Sequence, residues 1–329
     1  MKPAVAVGGA LLLLGCGPRR PAPPPGPPPV PLHLEPACDL VPSAGVAWVA
    51  AIAPRAIAEV PDLIPAIGTV LTEERLHLFA KAHGGIDLRQ IKDLCVARYP
   101  GSLLIVARVP LDPERVAAAF DDRSGRPAVR TTVVPNPHVI RIRADVDGEP
   151  QQLLVFGHDA VAEEDGKTGP LRAVEAFALG KLKRSQPVLK SPALARAAAL
   201  LGDAPVRILA PGPFEGEMAG GLGGLLRATT AVGGAARWSG RGAGITVRLV
   251  LTGAWGDDAP AAVERLAAAI HVLSESAPGR LFGLSHPVRE PAVHAEPDAL
   301  VLDAELDGAA LARGIHDAVD AEVGEIMRR

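Results

Sequence analysis

Aromatic residues are scarce in this sequence, and so are cysteines and long apolar runs. Only 3% of the 329 residues are aromatic, and Tyr99 is the single tyrosine. Sugar-stacking sites and tyrosine-rich recognition surfaces depend on aromatic faces, so the composition argues against both. The N-terminal apolar run, residues 4–14, is shorter than the roughly 20 residues that a membrane-spanning helix requires.

The sequence also lacks the motifs of catalytic, metal and nucleotide sites. Ser285 is followed by His286, but the second glycine of a nucleophile elbow is missing. Four histidines fall in pairs without the spacing of a zinc site, and we interpret them as surface residues: His77 with His83, and His286 with His294. We therefore predict no catalytic residue, no metal site, no cofactor and no enzymatic activity. The mild net charge of −3 also predicts no nucleic-acid partner.

Cys16 follows the apolar run in the order Leu13-Leu14-Gly15-Cys16, which is typical of a bacterial lipobox. The small Gly15 gives a peptidase access to the bond before the cysteine, so we predict cleavage there and lipidation of Cys16. Several acyl chains on one residue hold a protein firmly on a membrane. Gly17, in place of an inner-membrane retention Asp, favours the outer membrane of the cell envelope, with the periplasmic or surface face left open. The alternative is an ordinary cleaved signal peptide with a chance cysteine.

The segment after Cys16 is rich in proline, with nine prolines among the fourteen residues 18–31. Proline fixes φ and donates no backbone hydrogen bond, so the segment is expected to form an extended polyproline II stem. At about 3.1 Å per residue the stem would span roughly 40 Å and hold a folded domain away from the membrane. The alternative is a ligand for a proline-recognising domain.

Cys38 and Cys95 are the remaining cysteines. In an oxidising envelope two cysteines usually pair, so we predict a disulfide between them. By closing such a long loop, this disulfide would add on the order of 4 kcal/mol to the free energy of unfolding. The alternative is a pair of buried free thiols.

Alternating and helical apolar patterns predict an α+β fold in which helices cover antiparallel sheets. We expect a helix over residues 214–227, and helix N-caps at Thr72, Asp112, Asp258 and Asp307. The expected strands lie at about 46–52, 94–99, 103–109, 128–134, 139–144, 152–157, 206–210, 228–238, 244–252 and 300–306. From the composition and these patterns we divide the chain into a signal peptide, a lipidated stem, a first α+β unit, a helical bridge and a second α+β unit, at residues 1–15, 16–36, 37–165, 166–201 and 202–329.

The order strand, helix, two strands, helix, strand occurs in both halves of the body, which indicates a degenerate duplication. We expect a groove where the two copies meet, bordered by the basic bridge residues Lys181, Lys183, Arg184 and Lys190. One continuous sheet without internal symmetry is the alternative.

Three arginines on strands that we expect to be neighbours form a candidate anion patch: Arg130, Arg141 and Arg143. Guanidinium groups in a row bind carboxylates or phosphates well. Charged residues on the outward face of a sheet are the alternative interpretation.

The anchor, the stem and two body motifs, Asp39-Leu40-Val41-Pro42 and Gly85-Ile86-Asp87-Leu88, resemble uncharacterised lipoproteins of GC-rich, myxobacteria-like species. The resemblance implies a membrane-anchored envelope protein and brings no catalytic residues with it.

The first expectation for function is a non-enzymatic binding or structural role toward an envelope protein or the cell wall. The second is a carrier of a lipid or other apolar ligand in a cavity between sheet and helices. A third is a hydrolase with an unrecognised site. A cavity lined by residues such as Ile140, Ile142, Leu249 and Leu251 would favour the carrier.

Overall fold

The computed structural model describes residues 28–181, 186–281 and 283–326. Cys16, most of the proline-rich stem and the bridge residues Lys183 and Arg184 lie outside the described residues. The described part combines helices with an antiparallel sheet, which confirms the predicted α+β class.

The described strands form one twelve-stranded sheet. In chain order they are β1 (Trp48–Ile52), β2 (Asp93–Tyr99), β3 (Ser102–Arg108), β4 (Val129–Val134), β5 (Val139–Val146), β6 (Glu149–Phe156), β7 (Ala160–Gly166), β8 (Val206–Pro211), β9 (Thr229–Trp238), β10 (Gly244–Gly253), β11 (Arg289–Glu296) and β12 (Ala299–Asp307). Across the sheet they follow the order β11-β12-β10-β9-β8-β1-β2-β3-β7-β6-β5-β4.

The helices lie on both faces of this sheet. They are α1 (Pro54–Ala58), α2 (Ile64–Val70), α3 (Glu73–Ala82), α4 (Pro113–Ser124), α5 (Leu171–Ala178), α6 (Ala195–Leu201), α7 (Ala259–Glu275), α8 (Ala277–Leu281) and α9 (Gly308–Ile326).

The strand order repeats in the two halves of the chain. β1 and β8 pair antiparallel at the centre. Outward from β1 lie β2, β3, β7 and β6, and outward from β8 lie β9, β10, β12 and β11 in corresponding positions. A helix follows the third strand of each half, α4 after β3 and α7 after β10. The strand order therefore agrees with a duplication, although one continuous sheet runs through both copies and the first copy carries the extra hairpin β4–β5.

Alternation along the strands sends neighbouring side chains to opposite faces of the sheet. On one face, Cys95 packs in an apolar core with residues of α5 and α6, such as Val174 and Leu201. On the other face, Leu94 lies with a core under α3 and α4. A third core on that second face packs Leu266 of α7 over β10 and β12. We call the second face the cavity face.

Helix starts follow the predicted capping residues. The side-chain oxygens of Thr72, Asp112 and Asp307 accept hydrogen bonds from backbone N–H groups in the first turns of α3, α4 and α9, respectively. Such caps satisfy amides that have no partner inside the helix. Asp258 differs, because it lies in a short 3-10 turn that runs directly into α7 and its side chain makes no capping bond.

One pattern predicted the wrong structure. A helix was expected over residues 214–227, but the glycine-rich segment forms two short 3-10 helices, Gly216–Gly220 and Leu225–Ala228. Glycine is a poor helix former, and Gly223 and Gly224 take positive φ angles.

Two strands, β7 and β11, were not predicted because their sequences are polar. In β7, Glu164 is fully buried. Its carboxylate accepts hydrogen bonds from the Gly169 and Leu171 amides and from the Ser102 hydroxyl, at 2.6, 3.3 and 3.2 Å. A carboxylate paired in this way can be buried next to the start of α5.

The segment before β1 lies against the sheet and is fastened to it covalently. The Val30 amide donates to the Asn136 carbonyl at 2.9 Å, and the His33 amide donates to the Ala178 carbonyl at 2.8 Å. Cys38 forms the predicted disulfide with Cys95 at the middle of β2. Both cysteines are buried.

Replacing Cys38 and Cys95 together by alanine should lower the free energy of unfolding by about 2–4 kcal/mol, because the unfolded chain regains the freedom that the crosslink removes. Urea unfolding of oxidised wild type, reduced wild type and the double variant measures the effect. An unchanged midpoint on reduction, with two titratable thiols in the unreduced protein, would contradict the assignment.

Candidate functional site

An apolar cavity of about 370 Å³ lies on the cavity face, where the two halves of the chain meet. We call it the junction cavity. Helices α1 and α2 of the first half and α9 of the second half enclose it against the sheet. Its lining comprises Ile52, Pro54, Ile57, Ala58, Leu63, Ala66, Ile67, Val70, Leu71, Leu88, Arg89, Leu94, Ile245, Gly308, Leu311, Ala312 and Ile315.

Local sequence explains why these elements surround the cavity. Ile52 and Leu94 are paired residues of β1 and β2, and both point to the cavity face. Helix α9 begins immediately after β12 because Asp307 caps it. A Cβ atom on Gly308 would lie 2.3 Å from the Ala243 carbonyl oxygen, so glycine is required for α9 to start this close to β10.

Arg89 is the one charged residue in the lining, and carboxylates on both sides neutralise it. Its Nε lies 3.1 Å from an oxygen of Asp87, and its terminal nitrogen lies 3.0 Å from an oxygen of Glu73. The hydrogen bond from Arg89 lowers the pKa of Asp87, and the same pair raises the pKa of Arg89. Among the described residues, the cavity lining is therefore apolar and offers no unpaired cation to an anionic headgroup.

Apolar side chains remain accessible on the sheet nearby. Ile208 of β8 lies opposite Ala50 and shares the cavity face with Ile52, yet it is 52% exposed. Trp48 of β1, on the same face, is 36% exposed. The centre of the cavity face is thus only partly covered.

A second cavity of about 170 Å³ lies between the sheet and helices α3 and α4. Leu88 and Leu94 line both cavities, so the two spaces share a wall. Apart from its apolar lining, the second cavity contains three polar side chains: His83, Arg123 and Glu163.

Arg123 and Glu163 form an ion pair at 2.9 Å in which each side chain is about one fifth exposed. The guanidinium carbon of Arg123 lies 5.3 Å from the ring centroid of Phe120, so the group is held on an aromatic face. Its Nε is buried and has no hydrogen-bond partner among the described residues.

His83 lies at the end of α3 and stacks on Phe79, with ring centroids 4.1 Å apart. Its Nδ1 is 2.9 Å from the Phe79 carbonyl oxygen. Burial, and next to it the positive charge of Arg123, lower the pKa of His83, while the Phe79 hydrogen bond and Glu163 act in the opposite direction. The interpretation of His83 as a surface histidine was wrong, because the ring lines a cavity.

The three arginines of the predicted anion patch are not brought together. Arg130 lies opposite Ile142 in the β4–β5 pair, so it points away from the face that Arg141 and Arg143 share. Two of the three arginines form ion pairs with carboxylates. Arg130 pairs with Asp121 and Glu114, and Arg141 pairs with Glu175.

The predicted groove at the junction exists, but other residues border it. Helices α5 and α6 of the basic bridge pack on the opposite face of the sheet, so these described parts of the bridge do not flank the cavity. The apolar residues proposed as a cavity lining pack instead in the two cores of the cavity face: Ile140, Ile142, Leu249 and Leu251.

Within the described ranges, no three His, Cys, Asp or Glu side chains cluster as metal ligands would. Nor does any helix in that part of the chain combine the length and hydropathy of a membrane span.

No protein-family model matches the sequence, and no curated protein matches it. Among solved structures, the chain is similar to crystal form III of TP0453, with a TM-score of 0.51, 11% sequence identity and coverage of 85% of this chain and 97% of that one. It is also similar to crystal form IV of TP0453, with a TM-score of 0.50, 9% identity and coverage of 85% and 96%. At these identities the likeness concerns the fold alone.

Sequence patterns did not predict which residues line the two cavities, because these residues come from segments far apart in the chain. The junction cavity is lined by residues between Ile52 and Leu94 and by residues after Ile245. One signal was present: Leu311 and Ile315 give α9 an apolar stripe, which requires an apolar partner.

The buried His83 should make the protein less stable in mild acid. Because its pKa is lowered in the folded state, the unfolded chain takes up the proton first as the pH falls below about 6.5, and the folded state loses stability. The denaturant concentration at the midpoint of unfolding should fall less between about pH 7.5 and about pH 5 in His83→Asn than in wild type. His77→Asn, at an exposed position of the same helix, is the control. Equal losses in wild type and His83→Asn would refute the assignment.

Proposed function

We propose that this chain is a lipid-anchored protein of the cell envelope that carries an apolar ligand, such as an acyl chain, in the junction cavity. The observation that carries the proposal is the cavity itself, which has apolar walls and lies between the halves of the fold. Its volume of about 370 Å³ falls within the range of about 300–1,000 Å³ typical of small-molecule sites.

The chemistry of the lining supports an apolar ligand. Removing apolar surface from water stabilises a complex by roughly 25 cal/mol per Å². Arg89 does not change the preference of the cavity for an apolar ligand, since its ion pairs with Asp87 and Glu73 already neutralise its charge. Exposed apolar residues beside the cavity, such as Ile208, give a ligand further apolar surface along the sheet.

A role toward an envelope protein or the cell wall was the first expectation from the sequence. We place the carrier ahead of it because the junction cavity has ligand-binding chemistry, whereas two of the three candidate anion-patch arginines are already paired with carboxylates. The lack of enzymatic activity remains a prediction.

The anchor belongs to the same proposal. A lipidated Cys16, followed by an extended stem, would hold the cavity within reach of membrane lipids while leaving the body free to turn. The apolar cavity and the lipobox support each other, because both fit a protein that handles apolar molecules at a membrane.

Binding of the neutral dye phenylnaphthylamine tests the carrier function. The dye should fluoresce on binding to wild type, and Ala66→Phe should weaken binding about tenfold, because the added ring occupies space that the ligand needs. Ala56→Phe makes the same change on α1 at an exposed position outside the lining, so its affinity should equal that of wild type. Absence of dye binding to wild type, or equal affinity of both variants, would sink the carrier proposal.

Metabolic labelling with a fatty-acid analogue tests the anchor. Wild type should incorporate the label and fractionate with membranes, and Cys16→Ser should do neither, because serine offers no thiol for acylation. A matched Cys95→Ser variant should keep the label. An unlabelled wild-type protein would remove the anchor from the proposal.

A further inference from the structure

We propose that the second cavity is the polar end of the same ligand site and that it binds a neutral hydroxyl group at the end of an apolar chain. The inference rests on the proposed carrier function and adds the chemical class of the ligand: a long-chain alcohol, or a lipid with a free hydroxyl group.

Continuity of the two spaces is the first step. Leu88 and Leu94 contribute to the walls of both cavities, so their side chains form part of the wall between the apolar space and the space that holds His83, Arg123 and Glu163. Leucine side chains change rotamer without breaking a hydrogen bond. One ligand can therefore place its chain in the junction cavity and its end group in the second cavity.

The second step is a donor without a partner. Arg123 is fixed by its ion pair with Glu163 and by the Phe120 ring, yet its Nε–H is buried and unpaired within the described part of the chain. An unpaired buried donor is costly, and buried polar groups in proteins are nearly always satisfied. Nε has almost no accessible surface in this structure, so the Arg123 side chain would have to shift toward the second cavity before a ligand oxygen could accept from Nε and remove this cost.

The third step is an acceptor in the same cavity. The Phe79 carbonyl oxygen can only accept, so Nδ1 of His83 carries the proton in this hydrogen bond. Burial favours the neutral ring. Neutral His83 then has a lone pair on Nε2, which accepts a hydrogen bond. A hydroxyl group is both donor and acceptor, so it can donate to His83 and, after the shift of Arg123, accept from the guanidinium group that lines the same cavity.

Charge balance excludes an acid as the preferred ligand. The Arg123 cation is already matched by the Glu163 carboxylate, and the two lie 2.9 Å apart. A carboxylate ligand would add an unmatched negative charge to a partly buried site, where uncompensated charge is expensive. A neutral end group avoids that cost.

Competition between three ligands of equal chain length tests the inference. Lauryl alcohol, laurate and lauryl chloride are each titrated against phenylnaphthylamine bound to the wild-type protein. The alcohol should act at a concentration about tenfold lower than the chloride or the acid, the amount expected for a hydrogen bond to a charged donor.

The double variant Arg123→Met/Glu163→Met removes the polar pair, keeps similar volume and leaves no unpaired charge. When each competitor is measured against the variant's own affinity for the dye, the variant should lose the preference for the alcohol. The double variant Arg126→Met/Asp145→Met removes an exposed ion pair at 2.6 Å and should keep the preference. Thermal unfolding confirms that both variants fold.

The outcomes separate the two proposals. If wild type binds the dye but the three competitors act alike, or laurate acts best, the hydroxyl site is wrong and the carrier stands. An alcohol preference that survives in Arg123→Met/Glu163→Met would also overturn the hydroxyl site. If the dye does not bind wild type, the carrier proposal fails and the hydroxyl site fails with it.

Discussion

The antiparallel pairing of β1 with β8 is the interaction on which the rest of this structure depends. Four residue pairs, from Val49 with Leu209 to Ile52 with Val206, join the two halves into one sheet. The pairing brings α2 of one half against α9 of the other. Neither half could enclose the junction cavity alone, because each supplies only part of its wall. The cavity is therefore a property of the joined sheet.

Sequence patterns predicted most strands, three of the helix caps and the disulfide, because these depend on local alternation, on Asp and Thr before a first turn, and on the oxidising compartment. The sequence patterns gave the wrong structure, or none, in segments that are rich in polar residues or glycine. Glu164 is polar in sequence but buried and fully paired, and the glycines near 220 interrupt a pattern that would otherwise form a helix. They could not reveal the cavities, since no local pattern reports that Leu94 and Ile315 share a space.

The two cavities differ in the solvent exposure of the charged side chains that line them. In the junction cavity, Arg89 and its partner Glu73 are exposed and Asp87 is half-buried, so water screens much of the charge. In the second cavity, Arg123 and Glu163 are partly buried and must satisfy each other. Burial of such a pair adds little stability compared with an apolar pair of the same shape. Its presence beside an otherwise apolar wall therefore points to recognition, which is how we interpret it.

The fastening of the first described segment to the sheet has a mechanical consequence. Residues 28–37 run along the body, and the Cys38–Cys95 crosslink ties them to an interior strand instead of an edge strand. Tension arriving along the N-terminal segment would reach the middle of β2, where neighbouring strands on both sides share the load in shear. A pull on an edge strand would break its hydrogen bonds one after another. The body can thus bear force from a tether without its sheet opening from the rim.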